Sequence, residues 1–304
     1  MNDLQVKAEQ IRKKLEIVLA TGYKEMNVSE LEIAGSGVQN VVFRGNSEHG
    51  PLAFRVPWHK EVSNINEKTF SSRLSLQKEA NLSTYCIKNG IPVPGILGLH
   101  FGEELDFLIS EFVAADSVPI SPRKIGLTVK NLHNMPVHDL DFPNESEETL
   151  EKHIAKRLVS RMGAFNRITS SDYKLPISND IEQILEPGSN VKRLLHMDVR
   201  PVNLIGQKGE VKAIVDWDNA LIGHPLLDLM RIAETNEISW AEFIEGYGDS
   251  EISHSLPPIV VRLYRLDTAV MLANLFISQL KIQEKGRYYK KRVEVLMKEI
   301  NNLL

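Results

Sequence analysis

The stretch that most constrains this chain is residues 196–218, which read HMDVRPVNLIGQKGEVKAIVDWD. Its first half carries the spacing His-x-Asp-x-x-x-x-Asn, made by His196, Asp198 and Asn203. An apolar, strand-like run follows, and the stretch ends in Asp-Trp-Asp, whose first residue is Asp216. Carboxylate and carboxamide oxygens are the ligands that Mg²⁺ prefers, usually together with substrate phosphates. The stretch therefore indicates phosphoryl transfer.

The order of these residues is similar to the catalytic segment of protein kinases. There, the first Asp accepts the proton of the attacking hydroxyl, while the Asn and the later Asp hold the metal. Asp and Asn before Pro or Gly are also ordinary turn formers, so each element alone is compatible with a simple turn. The complete constellation is much harder to obtain by chance and favours a site.

Composition limits the possible functions. A chain of 304 residues is long enough for one two-lobed domain or two domains, and 42% hydrophobic with 25% charged residues is typical of a globular protein. The formal charge of −4 argues against a nucleic-acid binder that works through a general basic field. Cys86 is the only cysteine, which excludes a disulfide framework and a cysteine zinc site.

Neither the N-terminus nor the most apolar stretch indicates secretion or a membrane span. The start of the chain is polar and lacks the apolar core of a signal peptide. Residues 259–280 are apolar, but Arg262, Arg265 and Asp267 within them argue against a membrane span. The run predicts a long buried helix. We therefore expect a cytoplasmic monomer or weak dimer without membrane or nucleic-acid partners.

Near the N-terminus, a predicted amphipathic helix (residues 3–20) precedes three strand-like runs at 31–34, 41–43 and 52–56. Gly35-Ser36-Gly37 joins the first two runs, and its glycines allow backbone N–H groups to approach an anion closely. Protein kinases carry Gly-x-Gly-x-x-Gly-x-Val here, whereas this chain has Asn40 at the third glycine. Two glycines between strands are also common in plain tight turns.

A cation in the third run could meet the phosphates of a nucleotide. Arg55 alternates with apolar neighbours and stands where a kinase has the Lys of Val-Ala-Ile-Lys. Residues 67–89 predict a helix with Glu79 at the edge of its apolar stripe, where a partner for Arg55 would have to lie. The stripe comprises Leu74, Leu82, Tyr85 and Cys86. The alternatives are an exposed strand arginine and a solvated glutamate.

The second half of the chain begins after a buried strand at 107–113, in which we interpret Glu111 to Val113 as a hinge. Ser121-Pro122 has the chemistry of a helix start. An acidic run comprises Asp139, Asp141, Glu145, Glu147, Glu148 and Glu151. Such a run is usually a solvated loop and helix start, but it could also attract a cationic substrate.

Taken together, these motifs resemble the aminoglycoside phosphotransferase and choline kinase-like family of small-molecule kinases, from about residue 31 to 280. Members show His-Gly-Asp-(Leu)-His-Pro-(Gly)-Asn, then Ile-Asp-(Trp)-Glu, then Gly-x-Pro-x-x-Asp-Leu. This chain carries the corresponding residues at 196–203, 215–218 and 223–229. The resemblance implies an α+β, two-lobed protein-kinase-like fold. An N-terminal lobe (1–113) would hold an antiparallel sheet plus a helix, and a mostly helical C-terminal lobe would follow (114–304).

The resemblance also implies ATP- or GTP- and Mg²⁺-dependent phosphorylation of a hydroxyl on a small molecule, such as an aminoglycoside-like antibiotic or a similar metabolite. Asp198 is then the catalytic base, and Asn203 and Asp216 are the Mg²⁺ ligands. Arg55 and Arg200 would neutralise phosphate charge.

Three further groups complete the predicted nucleotide site. Gly35, Ser36 and Gly37 would contact phosphates, and Glu79 would pair with Arg55. Glu111 and Val113 would bind the adenine through backbone groups. Asp228 would be a structural acid at a helix N-terminus near the catalytic loop.

Three departures from the family pattern bear on activity. Arg55 replaces a lysine, Arg200 replaces a histidine, and Met197 replaces a small residue. Two arginines around the phosphates could misplace the transferred group, so a nucleotide-binding pseudokinase or regulatory module without turnover is the alternative. Phosphorylation of a protein is disfavoured because an Asp-Phe-Gly…Ala-Pro-Glu activation segment is absent from the sequence.

Overall fold

The computed structural model describes residues 3–64, 67–140, 142, 148–248, 252 and 255–304. The N-terminal part begins with helix α1 (Asp3–Gly22). Its strands are β1 (Ser29–Ser36), β2 (Asn40–Ser47), β3 (Gly50–Pro57), β4 (Glu61–Asn64), β5 (Glu67–Ser71), β6 (Ile96–Phe101) and β7 (Asp106–Glu111). Five of them form an antiparallel sheet in the order β1-β2-β3-β7-β6. The predicted meander and N-terminal helix are confirmed.

Successive strand residues point to opposite faces of the sheet, so both faces carry side chains to be covered. A different helix packs against each face. One face, with Phe43, Phe54 and Phe107, packs against Ile11 and Leu15 of α1. The other face packs against helix α2 (Ser72–Lys88), which contributes Leu76 and Ala80 to a cluster with Leu108. Arg55 is paired with Leu108 in the β3–β7 register and therefore faces α2.

Helix α2 corrects the sequence prediction in two ways. It begins at Ser72, not at residue 67, because β5 precedes it. Leu74, predicted to lie in the buried stripe, is 38% exposed, whereas Glu79, predicted at the stripe's edge, is 6% exposed. The helix turns Leu76 and Ala80, four residues apart, toward the sheet, so Leu74 falls outside the contact.

The C-terminal part is mainly helical. Its helices are α3 (Pro122–Asn134), α4 (Leu150–Thr169), α5 (Ser178–Leu185), α6 (Pro225–Thr235), α7 (Trp240–Tyr247), α8 (Pro258–Asn274) and α9 (Gln283–Asn301). Short strands form two pairs, β8 (Arg193–Leu195) with β11 (Leu221–Gly223) and β9 (Leu204–Gln207) with β10 (Glu210–Ile214). These pairs hold the loops at 196–203 and 215–220.

The core of this part is built around α8. Leu263, Leu266 and Val270 are 1% exposed or less, which confirms the predicted buried helix. Among the described helices, none combines the length and apolar character needed to cross a bilayer. The division of the chain between residues 113 and 114 remains a prediction.

Candidate active site

Asp228, in the first turn of α6, anchors the loop at 196–203, which the sequence predicts to be the catalytic loop. Its carboxylate accepts hydrogen bonds from the backbone N–H groups of His196 (2.9 Å) and Met197 (3.1 Å). His133 Nε2 lies 3.3 Å from Asp228 Oδ2. Burial alone would raise the pKa of Asp228, but the hydrogen bond from His133 and the neighbouring histidines outweigh it and lower the pKa. Asp228 is therefore an ionised, fully buried brace for the loop.

This brace accounts for the unusual residue after His196. Met197 has φ of 62°, in the left-handed region that glycine tolerates best. The hydrogen bond from its N–H to Asp228 and the burial of its side chain, which is 1% exposed, hold the strained backbone. Met197 is thus accommodated at this position by its backbone hydrogen bond and by the burial of its side chain.

Asp198 lies at the centre of the loop, with both carboxylate oxygens engaged. Arg200 donates from Nε to Oδ1 (3.0 Å) and from Nη2 to Oδ2 (3.1 Å), and Asn203 Nδ2 donates to Oδ2 (2.8 Å). Arg231 Nη2 is 3.8 Å from Oδ1. Burial would raise the pKa of Asp198, but Arg231 and Arg200 outweigh it, and the pKa is lowered. Asp198 is consequently ionised near neutral pH.

Asn203 is oriented so that its amide oxygen remains available. Its Nδ2 donates to the backbone oxygen (2.9 Å) and the side chain (2.8 Å) of Asp198. Among the described residues, no donor contacts Asn203 Oδ1. The N–H of Val215 donates to the backbone oxygen of Asn203 (3.0 Å), which ties the loop to the segment that carries Asp216.

Arg55 and Glu79 form the predicted ion pair between β3 and α2, through Arg55 Nη1. The guanidinium reaches further than predicted, because Nη2 also lies 2.9 Å from Asp216 Oδ1 and 2.9 Å from Asp218 Oδ2. Glu79 in turn accepts from the N–H of Trp217 (3.1 Å). One arginine therefore joins acids of both lobes.

Three acids surround the guanidinium of Arg55. One carboxylate oxygen from each of Glu79, Asp216 and Asp218 lies within 4.8 Å of the other two. Burial and the neighbouring carboxylates raise the pKa of Asp216 against the opposing effect of Arg55. Three carboxylates against one guanidinium leave an excess of negative charge that a cation would offset. Asp216 is the predicted Mg²⁺ ligand among them, and its oxygen donors suit that ion. Glu79 and Asp218 are engaged by Arg55.

The predicted nucleotide-binding backbone groups lie on the sheet side of the cleft. Gly35 and Ser36 end β1, and Gly37 begins a turn in which its N–H donates to the oxygen of Asn40 (2.8 Å). The indole of Trp58 donates to the oxygen of Gly37 (2.9 Å). These two hydrogen bonds within the protein therefore fix the base of the turn.

The predicted hinge begins at Glu111, the last residue of β7, so the strand predicted over 107–113 ends two residues earlier than expected. The N–H of Glu111 donates to the oxygen of Gly95 (2.8 Å), and that of Phe112 donates to the oxygen of Pro51 (3.0 Å). In the described part of the chain, the N–H of Val113 has no backbone acceptor. Val113 therefore offers the backbone donor expected at the adenine site.

Sequence reasoning missed two contributors. Asp218 accepts from Arg55 and from Ser75 Oγ, and its backbone oxygen accepts from Lys78 Nζ at 2.9 Å. With its amide oxygen turned toward the guanidinium, Asn40 accepts from Arg55 Nε at 3.2 Å and Nη2 at 2.8 Å. Strand alternation gave no signal for Asp218, because β10 ends at Ile214 and Asp216 has φ of 69°, so the Asp-Trp-Asp segment is not extended.

Solved structures of similar fold include phosphotransferases with bound nucleotides. One is a thermostable variant of aminoglycoside phosphotransferase APH(4)-Ia with AMP-PNP and hygromycin B (TM-score 0.65, 14% identity, 93% of this chain and 97% of that chain). Another is a choline/ethanolamine kinase family protein from Mesorhizobium loti (TM-score 0.61, 18% identity, 97% of each chain). A third is a variant of aminoglycoside 2'-phosphotransferase-IIIa with GDP (TM-score 0.61, 14% identity, 96% of this chain and 98% of that chain).

At these identities the likeness establishes the fold, and it confirms the predicted protein-kinase-like architecture. No curated protein matches the chain in sequence. The sequence profile named "Phosphotransferase enzyme family" matches residues 30–258, which is well over half of the chain and includes both the glycine turn and the catalytic loop. The predicted enzyme class is thereby confirmed, and the chain belongs to the phosphotransferase enzyme family.

Proposed function

We propose that the protein transfers the γ-phosphoryl group of ATP or GTP to a hydroxyl group of a small molecule in a Mg²⁺-dependent reaction. The observation that carries this proposal is the convergence of Asp198, Asn203, Asp216 and Arg55 where the sheet faces the helical part. Membership of the phosphotransferase family supports the same reaction class. The positioning of these groups and their charges would supply most of the catalysis.

The nucleotide would bind between the N-terminal lobe (1–113) and the C-terminal lobe (114–304). Its base would contact the backbone of Glu111 and Val113, and its phosphates would lie beneath Gly35, Ser36 and Gly37. Arg55 would neutralise phosphate charge. The similar structures with AMP-PNP and with GDP are consistent with either purine nucleotide.

Asp198 would accept the proton of the acceptor hydroxyl. Its lowered pKa makes it a weak base, so its main contribution would be to orient the hydroxyl oxygen toward the phosphorus. Arg200, which contacts both oxygens of Asp198, would neutralise charge on the transferred group. This role requires at least one Arg200–Asp198 hydrogen bond to open during the reaction.

Asn203 and Asp216 would hold Mg²⁺, and Asp198 would keep Asn203 in the orientation that presents Oδ1. When bound, the ion would offset the negative charge of the phosphates. Asp216 also contacts Arg55, so it would divide its two oxygens between the guanidinium and the metal.

The acceptor is proposed to be a hydroxylated small molecule, of which a cationic, aminoglycoside-like compound is one candidate. Two of the three described acids of the 139–151 run have local partners: Asp139 lies 2.9 Å from exposed His138, and Glu148 pairs with Lys156. Asp141, Glu145 and Glu147 lie outside the described residues. The hygromycin B complex of a similar fold supports testing polycationic acceptors first.

The proposal is tested by screening the purified protein for nucleoside diphosphate release. ATP and GTP are each offered with Mg²⁺ and a panel of aminoglycosides, choline-like alcohols, sugars and macrolides. Acceptor-dependent release that Asp198→Asn abolishes is the expected result, and Asp172→Asn, at an exposed acid, is the control.

A second candidate is a nucleotide-binding module without turnover, favoured by the engagement of both Asp198 oxygens and of Asp216 by arginines. Tight nucleotide binding without release for any acceptor would favour that candidate.

A further inference from the structure

Arg55 is held by more acceptors than the lysine–glutamate pair of a kinase requires. Besides Glu79 and Asp216, its guanidinium contacts Asp218 and the amide oxygen of Asn40. Its side chain is 11% exposed. A cation this enclosed keeps one position only if the surrounding acceptors fix it.

Asn40 matches a feature that arginine has and lysine lacks. When the Asn40 amide is turned so that its oxygen faces the guanidinium, the orientation that satisfies both groups, Arg55 Nε lies 3.2 Å and Nη2 2.8 Å from that oxygen. A lysine ends in one ammonium group and has no N–H donor along its stem. Asn40 begins β2 directly after the glycine turn, so this contact ties the position of the cation to the turn.

Asp218 fixes the guanidinium from the opposite lobe. Its Oδ2 accepts from Arg55 Nη2 at 2.9 Å, and its Oδ1 accepts from Ser75 Oγ on α2. Lys78, also on α2, donates to its backbone oxygen at 2.9 Å. The Asp218 side chain is 10% exposed, so a shift of Arg55 would leave a largely buried carboxylate with one partner fewer.

We propose that Asn40 and Asp218 are positioning residues that hold Arg55 for contact with the nucleotide phosphates. The proposal rests on the proposed nucleotide-binding function. Asn40, Asp218 and Glu79 together give Arg55 three acceptors other than Asp216. Arg55 therefore remains in place when Asp216 serves the metal, and the arginine and the asparagine in the turn function as a matched pair.

The test is a double-mutant cycle read out as nucleotide affinity without acceptor. Asn40→Ala and Asp218→Asn are each made in the wild type and in Arg55→Lys, and binding of AMP-PNP with Mg²⁺ is measured by calorimetry. Asn46→Ala is the matched control, since Asn46 lies on the same strand and bonds to Arg44 and Glu30 instead. Thermal unfolding without nucleotide is measured on the same variants.

In the wild-type background each substitution should weaken nucleotide binding about tenfold or more, the usual effect of losing a hydrogen bond to a charged group. In the Arg55→Lys background Asn40→Ala should have little further effect on affinity, because the Nε–H donor is already absent. Asn46→Ala should bind as the wild type does. A merely structural role would lower the unfolding temperature equally in both backgrounds and leave affinity unchanged.

Unchanged affinity in Asn40→Ala and Asp218→Asn, or equal losses with Arg55 and with Arg55→Lys, would overturn the positioning role while leaving the proposed function intact. A wild-type protein that binds no nucleotide would overturn both. If Asp218→Asn does not fold, the Asn40 series decides by itself, because Asn40 is partly exposed.

Discussion

Arg200 donates two hydrogen bonds to the carboxylate of Asp198, from Nε to Oδ1 at 3.0 Å and from Nη2 to Oδ2 at 3.1 Å. The two residues are separated by Val199 alone, so the pair is local to the catalytic loop. This geometry keeps the proposed base, Asp198, ionised and hydrogen-bonded. It also makes the pKa of Asp198 depend on Arg200, the residue that would neutralise phosphate charge.

The first prediction concerns the pH dependence of turnover. Burial raises the pKa of Asp198, while Arg231 and Arg200 lower it to below its ordinary value. Arg200→Gln removes one lowering influence, so the pKa of Asp198 should rise and the acid limb of the kcat profile should move to higher pH. Turnover itself should fall by roughly two to three decades if Arg200 also neutralises the transferred group. Arg123→Gln, at an exposed arginine, is the control and should leave the acid limb unchanged. An acid limb at the wild-type position in Arg200→Gln would contradict the prediction.

The second prediction concerns metal. Asp216→Asn replaces a charged oxygen ligand with a neutral amide and also weakens the hold on Arg55. We expect nucleotide affinity to lose most of its dependence on Mg²⁺, measured by titrating Mg²⁺ at fixed AMP-PNP. Wild-type Mg²⁺ dependence in this variant would place the metal on other residues.

The third prediction concerns the acceptor. If the acids between residues 139 and 151 line the acceptor cleft, the acceptor is cationic and its KM should rise steeply between low and physiological salt. The nucleotide KM, measured over the same range, serves as the reference. A salt-insensitive acceptor KM, or a preference for neutral sugars or macrolides, would assign the run to a solvated surface.

The fourth prediction concerns stability in acid. Asp267 on α8 is 1% exposed and lies 2.6 Å from Arg157 Nη2 and 2.8 Å from Arg161 Nη1. Burial raises its pKa, but the two arginines outweigh it and lower the pKa to about 2. Because the folded value lies below the unfolded one, the stabilisation is complete above about pH 4 and is lost as the pH falls toward 2. It amounts to roughly 2 kcal/mol.

Asp267→Asn should remove this part of the acid transition and should destabilise the protein at pH 7 by about 3 to 5 kcal/mol, since buried Arg161 and partly buried Arg157 lose this counter-charge. Urea unfolding at several pH values measures both effects, with Asp139→Asn as the exposed control. Equal pH dependence in wild type and Asp267→Asn would show that other groups govern the acid transition.

Local patterns in the sequence identified the elements but not every meeting point between them. Alternation along β3 told which way Arg55 points, and helical spacing put Glu79 on the adjoining face, so their ion pair could be predicted. The contact of Asp218 with Arg55 depends on how segment 215–220 approaches the sheet, and no local period encodes that approach. Asn40 lies on β2 beside β3, so its contact with Arg55 depends on the register of these two strands. Asp267, used only as evidence against a membrane span, proved to be a buried ionic centre because α4 brings two arginines to it.

The central claim is tested most directly by following the γ-phosphoryl group itself. Wild-type protein and Asp198→Asn are incubated with γ-³²P-labelled ATP or GTP, Mg²⁺ and the acceptor found in the screen, and the labelled acceptor is quantified. The account predicts label on an acceptor hydroxyl for the wild type, and a loss of about two to four decades in Asp198→Asn with AMP-PNP affinity nearly unchanged. Label transfer at the wild-type rate by Asp198→Asn, or a wild-type protein that binds nucleotide and transfers no label to any acceptor, would contradict it.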